Sequence, residues 1–355
     1  MDKKHSSQLH FIIGMDRSGT TILTKLLNNF VDIHCLPEAN FLLFFLHQFK
    51  NKKNFTEEDI ALIFEQMKVY YLTNPWIGWE FNFEECKNVI KEFSVTEQIT
   101  YEKLCKIILE NFKMIGINKK NATLLIDKNP CYTLFVNHIH DTFKDAKFIW
   151  ITRDYRANML SRIQHPDLKP SNTPFNAIRW VLYNKEALNF YRKNKEKTIL
   201  IKYEELVLNY EAEIKKLTQF LNISTTLESN YIEKGLIDFS KHQVSFEHKA
   251  RYEKKYTDLN QPLNSNRLDV WKTQLSQKDI TICDAICSSF AAKIGYHPYQ
   301  KIKKTEVFLL KIKYLYPIIN GYLDIYKDKL IYFINVKIKL SKLKSRYTKL
   351  GFIKE

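Results

Sequence analysis

Four short runs rich in Ile, Leu, Val and Phe, at His10 to Met15, Thr123 to Asp127, Lys147 to Thr152 and Thr198 to Lys202, each give way to polar residues and then to a segment of helical periodicity. Apolar runs of this length, bounded by polar residues, suit strands buried on both faces, and their alternation with helices predicts an α/β fold with a mainly parallel central sheet. The helices expected after them are Thr21 to Phe30, with Ile22, Leu23, Leu26, Leu27 and Phe30 on one face, then Leu134 to Phe143, Arg156 to Gln164 and Glu211 to Leu221. In such sheets ligands collect at the carboxyl ends of the strands, so the polar segments after these four runs should meet in one crevice.

Other stretches carry different patterns. From Phe41 to about Leu109 the periodicity stays helical and breaks at Asn74-Pro75, which predicts a helical insertion over the site. Glu247 to Ser265 is charged and turn-rich, as expected of a mobile loop. After Pro298 the chain becomes a mixture of Lys, Tyr, Ile and Leu, interrupted at Pro317. The organisation expected is therefore an α/β domain over 1–298 and a basic, amphipathic, helical extension over 299–355.

Charge sharpens this division. Of the formal net charge of +16, the last 55 residues carry +10, fourteen Lys and Arg against four Asp and Glu, which leaves +6 for the first 300. A mildly basic body suits a polyanionic ligand. A basic amphipathic tail fits either of two arrangements: helices packed on the domain with lysines in solvent, or peripheral contact with an anionic membrane surface. Met1 to Gln8 is polar and lacks the apolar core of a secretory signal, and no apolar run approaches the roughly 20 residues of a membrane span. A cytoplasmic protein, at most peripheral to a membrane, is expected.

The cysteines, Cys35, Cys86, Cys105, Cys131, Cys283 and Cys287, form no Cys-x-x-Cys pair, and His138, His140 and Asp141 lack a further cluster to complete a coordination sphere. No metal site is expected.

The first polar segment is Gly14-Met15-Asp16-Arg17-Ser18-Gly19-Thr20-Thr21. A strand, a tight glycine-containing loop and a helix N-terminus surround an anion with backbone N–H groups and the positive end of a helix dipole. Ser18, Thr20 and Thr21 add hydroxyls and Arg17 adds a cation. Thr20 stands where a nucleoside triphosphatase or kinase carries the lysine that reaches the β- and γ-phosphates, so a metal-bound triphosphate fits poorly. In the second segment, Ile151 to Arg162, Arg153 at the strand end and Ser161 on the following helix could both reach a further phosphate.

With these two segments the chain resembles, from about Phe11 to Tyr296, the sulfotransferase superfamily that uses 3′-phosphoadenosine 5′-phosphosulfate (PAPS) and releases adenosine 3′,5′-bisphosphate (PAP). The resemblance implies that Arg17, Ser18, Gly19, Thr20 and Thr21 hold the 5′ phosphosulfate, and that Arg153 and Ser161 hold the 3′ phosphate. It implies that Tyr203, in Tyr203-Glu204-Glu205-Leu206, lies near the adenine. It also implies that Arg267 to Lys272, with Trp271, closes over the cofactor, although the glycines usual there are missing; simple core aromatics remain the alternative for Tyr203 and Trp271. Lys128, in Asp127-Lys128-Asn129-Pro130, matches a lysine that contacts the transferring group.

The histidine base of one branch has no counterpart, because its position is Pro130. In the branch of the tyrosylprotein sulfotransferases and related bacterial enzymes a glutamate does this work, and Glu38 in Leu36-Pro37-Glu38-Ala39 matches it. Beside Leu36, Phe41 and Leu42, such a carboxylate would have its pKa raised by desolvation. A glutamate stabilised at a helix N-terminus is the competing reading.

The acceptor is expected to be a small lipophilic alcohol such as a sterol, with Phe41, Leu42, Leu43, Phe44, Phe45, Trp76, Ile77, Trp79 and Phe81 as an apolar wall. The same residues fit core packing equally well. A glycan stacked on Trp76 and Trp79, or a protein tyrosine in a basic groove, are the alternatives. A P-loop kinase conflicts with Thr20, and a nucleic-acid-binding module with the confinement of charge to the tail and the lack of any recognised nucleic-acid-binding motif.

Overall fold

The computed structural model describes residues 7–73, 79–114, 119, 122–165, 168, 170, 172–223, 263 and 265–349. The loop expected over Glu247 to Ser265 lies, but for Leu263 and Ser265, outside the described residues, as do Trp76 and Ile77.

Seven strands occur in chain order among the described residues: β1 (Gln8–Ile13), β2 (Ile33–Cys35), β3 (Trp79–Phe81), β4 (Phe112–Met114), β5 (Leu124–Lys128), β6 (Phe148–Thr152) and β7 (Thr198–Lys202). Five form a parallel sheet in the order β2-β5-β1-β6-β7, and β3 and β4 form a separate antiparallel ribbon. Period-two alternation sends Phe11, Phe148 and Trp150 into one apolar layer, and Ile12, Ile126, Ile149 and Ile151 into a second. Both faces are covered, which is why these strands read as nearly unbroken apolar runs.

The register brings the strand ends together. Ile12 lies opposite Lys128, Ile13 opposite Trp150 and Thr152 opposite Lys202, so the segments that follow all leave from one edge of the sheet.

Helices Thr20–Leu27, Tyr155–Ile163 and Tyr210–Leu221 stand where periodicity places them. The helix expected from Leu134 is instead a 3-10 turn over Pro130–Phe135 followed by a helix over Val136–Thr142. Pro130 is compatible only with a first turn, and the Asn129 side chain accepts from the Cys131 N–H at 3.2 Å to cap it. The insertion holds helices Phe41–Phe49, Glu57–Thr73, Phe83–Thr96 and Tyr101–Glu110, together with the β3–β4 ribbon, which helical periodicity did not anticipate.

The C-terminal extension forms helices Lys304–Lys313, Leu315–Tyr332 and Val336–Lys349. Gly321 lets the second of these lie directly on the helix Thr173–Lys193, where a Cβ would run into Ile178 and the Phe175 carbonyl. Ile325, Tyr332 and Val336 belong to the main core, with the Tyr332 ring stacked on Phe135 at 4.8 Å between centroids. Lys339 is buried against the Phe44 ring and carbonyl, and burial pushes its pKa down to about 8. One face of the tail is thus part of the domain.

Candidate active site

The loop after β1 is built on unusual backbone. Gly14 has φ of 150°, Arg17 of 65° and Gly19 of 95°, conformations in which glycine is strain-free and arginine uncommon. A Cβ on Gly19 would collide with the Tyr203 ring, so glycine here is what allows the loop to close onto that aromatic. Gly19 is the N-cap of helix Thr20–Leu27, and no side chain caps that end. Its first-turn N–H groups are left for an anion.

Polar side chains tie the loop in place. The Gly14 N–H donates to Thr133 Oγ1 at 2.8 Å, and Asn158 Nδ2 donates to the Asp16 carbonyl at 2.9 Å and to Ser18 Oγ at 3.2 Å. Arg162 pairs with Asp16. Arg17 Nε donates to Ser161 Oγ at 3.0 Å, joining the two segments that the sequence singled out.

Arg153 follows β6 directly. Its guanidinium lies over the Tyr203 ring, 4.5 Å from the centroid, and its carbonyl accepts from Trp180 Nε1 at 3.1 Å. Its Nε is buried and has no hydrogen-bond partner among the described residues. A buried charged donor left unsatisfied is costly, and a phosphate oxygen is the kind of acceptor that would satisfy it. The structure therefore brings Arg17, Gly19, Arg153, Ser161 and Tyr203 together, with Ser161 held by Arg17.

Lys128 and Glu38 form an ion pair. Lys128 ends β5, and Glu38 follows β2 after Leu36 and Pro37; the two strands are neighbours with Cys35 opposite Ile126, so both side chains emerge at the same level. The Lys128 side chain is 7% exposed and that of Glu38 31%, which leaves the carboxylate within reach of an incoming molecule. The surroundings of Glu38 differ from those expected. Leu36, Phe41 and Leu42 are fully buried in the core, and the carboxylate meets an ammonium group. Nor is Glu38 at a helix N-terminus, since the next helix begins at Phe41.

Beneath this pair is a residue that sequence reasoning missed. Asp127 is fully buried, accepts from the Tyr132 hydroxyl at 2.6 Å through Oδ2, and has no partner at Oδ1 among the described residues. Burial raises its pKa to about 7, partly opposed by the Tyr132 hydrogen bond and Lys128. From its ordinary 3.8 up to about 7 the folded state keeps a proton that the unfolded chain has lost, so stability falls as pH rises through that window. Asp127→Asn, which retains an acceptor for Tyr132, should flatten this dependence. Urea midpoints at pH 5 and pH 7 check it: the wild type should lose more stability than the variant on moving to pH 7, and parallel shifts would refute the assignment.

The late segment lies against the outside of the helix Tyr155–Ile163. Trp271 is buried with Ala157, Leu160, Leu275 and Ile280, and the Arg156 guanidinium stacks on its ring at 4.3 Å. Arg156 is itself held by Asp154 at 2.6 Å and by Asp284 at 3.4 Å. Lys272 pairs with Asp269 at 2.8 Å, and Arg267 is exposed on a 3-10 turn over Ser265–Arg267. A cleft of about 620 Å³ opens there, lined by Arg156, Glu204, Trp271, Lys272 and His297 among others. Glu204 accepts from the Asp154 N–H and the Tyr296 hydroxyl, each at 2.8 Å, and burial raises its pKa. Trp271 thus packs as a core aromatic.

Of the apolar wall expected to receive a lipophilic acceptor, the part from Phe41 to Phe45 is largely core. Phe41, Leu42, Leu43 and Phe45 are buried, and the Tyr101 hydroxyl donates to the Leu42 carbonyl at 2.6 Å. With those side chains used in packing, the wall gives no support to a sterol or other lipid acceptor. Among the described residues no cluster of His, Cys, Asp and Glu could hold a metal ion.

Among known proteins, those similar to this chain include several sulfotransferases. The protein-tyrosine sulfotransferase of Drosophila melanogaster is 21% identical over 305 residues, which cover 82% of this chain and 52% of that protein, so this chain spans about half the length of that relative. Protein-tyrosine sulfotransferase 1 of Danio rerio is 24% identical over 304 residues, 82% of this chain and 73% of the relative. Among solved structures, the sulfotransferase domain from the curacin biosynthetic pathway superposes with a TM-score of 0.51 at 19% identity, covering 82% of this chain and 98% of that domain. The model of the sulfotransferase family matches residues 10–227, a span that includes the glycine loop, the Glu38–Lys128 pair and Arg153, and the chain therefore belongs to that family and is a sulfotransferase.

Proposed function

We propose that this enzyme transfers the sulfuryl group of PAPS to the phenolic hydroxyl of a tyrosine in a protein or peptide. The observation that carries the reading is the meeting, at one sheet edge, of an uncapped glycine loop, the unsatisfied Arg153 Nε and the Glu38–Lys128 pair. These residues fit the donor: the loop N–H groups and Arg17 suit its 5′ phosphosulfate, Arg153 and Ser161 its 3′ phosphate, and the Tyr203 ring its adenine.

PAPS supplies an activated sulfuryl group on a good leaving group. The chain supplies the rest. Glu38 accepts the acceptor's proton as its oxygen attacks, and Lys128, already beside Glu38, meets the charge that develops on the leaving oxygen. With both held at the ends of adjacent strands, little rearrangement would be needed for in-line transfer.

The tyrosine acceptor rests on relatives that are named protein-tyrosine sulfotransferases and on a basic body that favours acidic peptides. Its test is a panel containing a peptide with one tyrosine among acidic residues, a sterol and an oligosaccharide, each incubated with PAPS and followed by mass spectrometry. The peptide should gain one SO₃ on the tyrosine. Modification of the sterol or the sugar with the peptide untouched would overturn the acceptor assignment.

A further inference from the structure

The helix Leu315–Tyr332 packs on the domain through one face, the helix Lys304–Lys313 has no fully buried residue, and both carry apolar side chains that the domain leaves exposed. Gly321, Ile325 and Tyr332 are buried. On the other side Phe308, Ile312, Leu315, Ile319, Leu323 and Leu330 recur at intervals of three, four and seven residues and are 44–67% exposed. Thirteen of the sixteen exposed large hydrophobic side chains among the described residues lie between Phe308 and Ile338. A patch so concentrated marks a contact surface.

Charge decides what covers it. Lys304, Lys311, Lys313 and Lys327 are exposed beside the stripe and outnumber the exposed acids of the same helices, Glu306 and Asp328. A second copy seated on the same face would bring these lysines against their equivalents, whereas anionic headgroups would neutralise them. Tyr316, Tyr322 and Tyr326, all exposed along the stripe, have the apolar body and polar tip that suit a headgroup boundary. Beside the stripe a cavity of about 720 Å³, lined by Phe175, Tyr314, Tyr316, Pro317 and Leu323 among others, is of a size to admit an apolar chain. No helix among the described residues is long and apolar enough to cross a bilayer, so such a face would lie on the surface.

We propose that the outer face of the Lys304–Lys313 and Leu315–Tyr332 helices docks the enzyme onto an anionic lipid bilayer, with both helices in the plane of the headgroups. This is independent of the donor and acceptor assignments. It is tested by floating the full chain with vesicles of phosphatidylcholine alone or with about one third phosphatidylserine, at low and high salt. The protein should float with the anionic vesicles, less so at high salt, and remain behind with phosphatidylcholine. The triple variant Phe308→Glu, Leu323→Glu, Leu330→Glu alters only exposed positions and should lower partitioning at least about tenfold. Its thermal midpoint and its turnover of a soluble acceptor should be unchanged. Replacing Lys304, Lys311, Lys313 and Lys327 by Ser is a second route to the same loss. Absence of binding, equal binding to both vesicle types, or a stable dimer in sedimentation that the triple variant dissociates would each overturn the proposal.

Discussion

Glu38→Gln should lower kcat by about 10²–10⁴-fold, the range for loss of a general base, and leave PAP affinity close to that of the wild type. Glutamine keeps the size of the side chain and an oxygen that can accept from Lys128 Nζ, so the strand ends should remain in place; what disappears is a group that can take the acceptor's proton. Loss of kcat with an unchanged Kd for PAP, measured by calorimetry, separates this from a structural effect. Near-normal turnover would remove Glu38 from the mechanism. A parallel collapse of PAP binding would show instead that the ion pair serves to shape the donor site.

Arg153→Ala should act on binding. The guanidinium makes a stacking contact with Tyr203 and leaves its Nε buried and unpartnered, an arrangement that a ligand phosphate would complete. Removing a charge-assisted contact of this kind costs about 1.5–3 kcal/mol, or roughly 10–150-fold in affinity for PAP. The same variant should lose much less affinity for adenosine 5′-phosphate, which has no 3′ phosphate to contact. Equal losses for both ligands would mean that Arg153 supports the aromatic platform and does not read the 3′ phosphate.

Much of this site was legible because its parts are local in sequence. A glycine loop after a strand, or an arginine and a serine eight residues apart after another, can be read without knowing which strands are neighbours. The strands that carry them lie within two residues of the positions the apolar runs suggest. What depends on adjacency was hidden. β2 is three residues long, too short for a period to emerge, and without it nothing indicates that Glu38 and Lys128 meet through the β2–β5 pairing. The helix Thr173–Lys193 escaped for a different reason: it is buried on most of its circumference, with Asn176, Arg179 and Asn184 inside, so it presents no single apolar stripe. Asp127 is invisible for a related cause, since an aspartate at the end of a strand is ordinarily solvated, and only the structure reveals it sealed against Tyr132. Phe41 to Phe45 had two readings of equal standing, wall or core, and the burial of Phe41, Leu42, Leu43 and Phe45 decides for core.

The C-terminal tail also had two readings, and packing on the domain is the one visible in the structure. Its helix Leu315–Tyr332 packs on the domain through one face, and together with Lys304–Lys313 it keeps apolar side chains exposed beside lysines.

The most direct test of the central claim offers the full chain two donors, PAPS and magnesium-bound ATP, with the acidic tyrosine peptide as acceptor, and follows nucleotide product and peptide mass together. The expected result is PAP released in equal amount to peptide carrying one SO₃, absent in Glu38→Gln, with no transfer from ATP. Phosphoryl transfer from ATP without any from PAPS would contradict it.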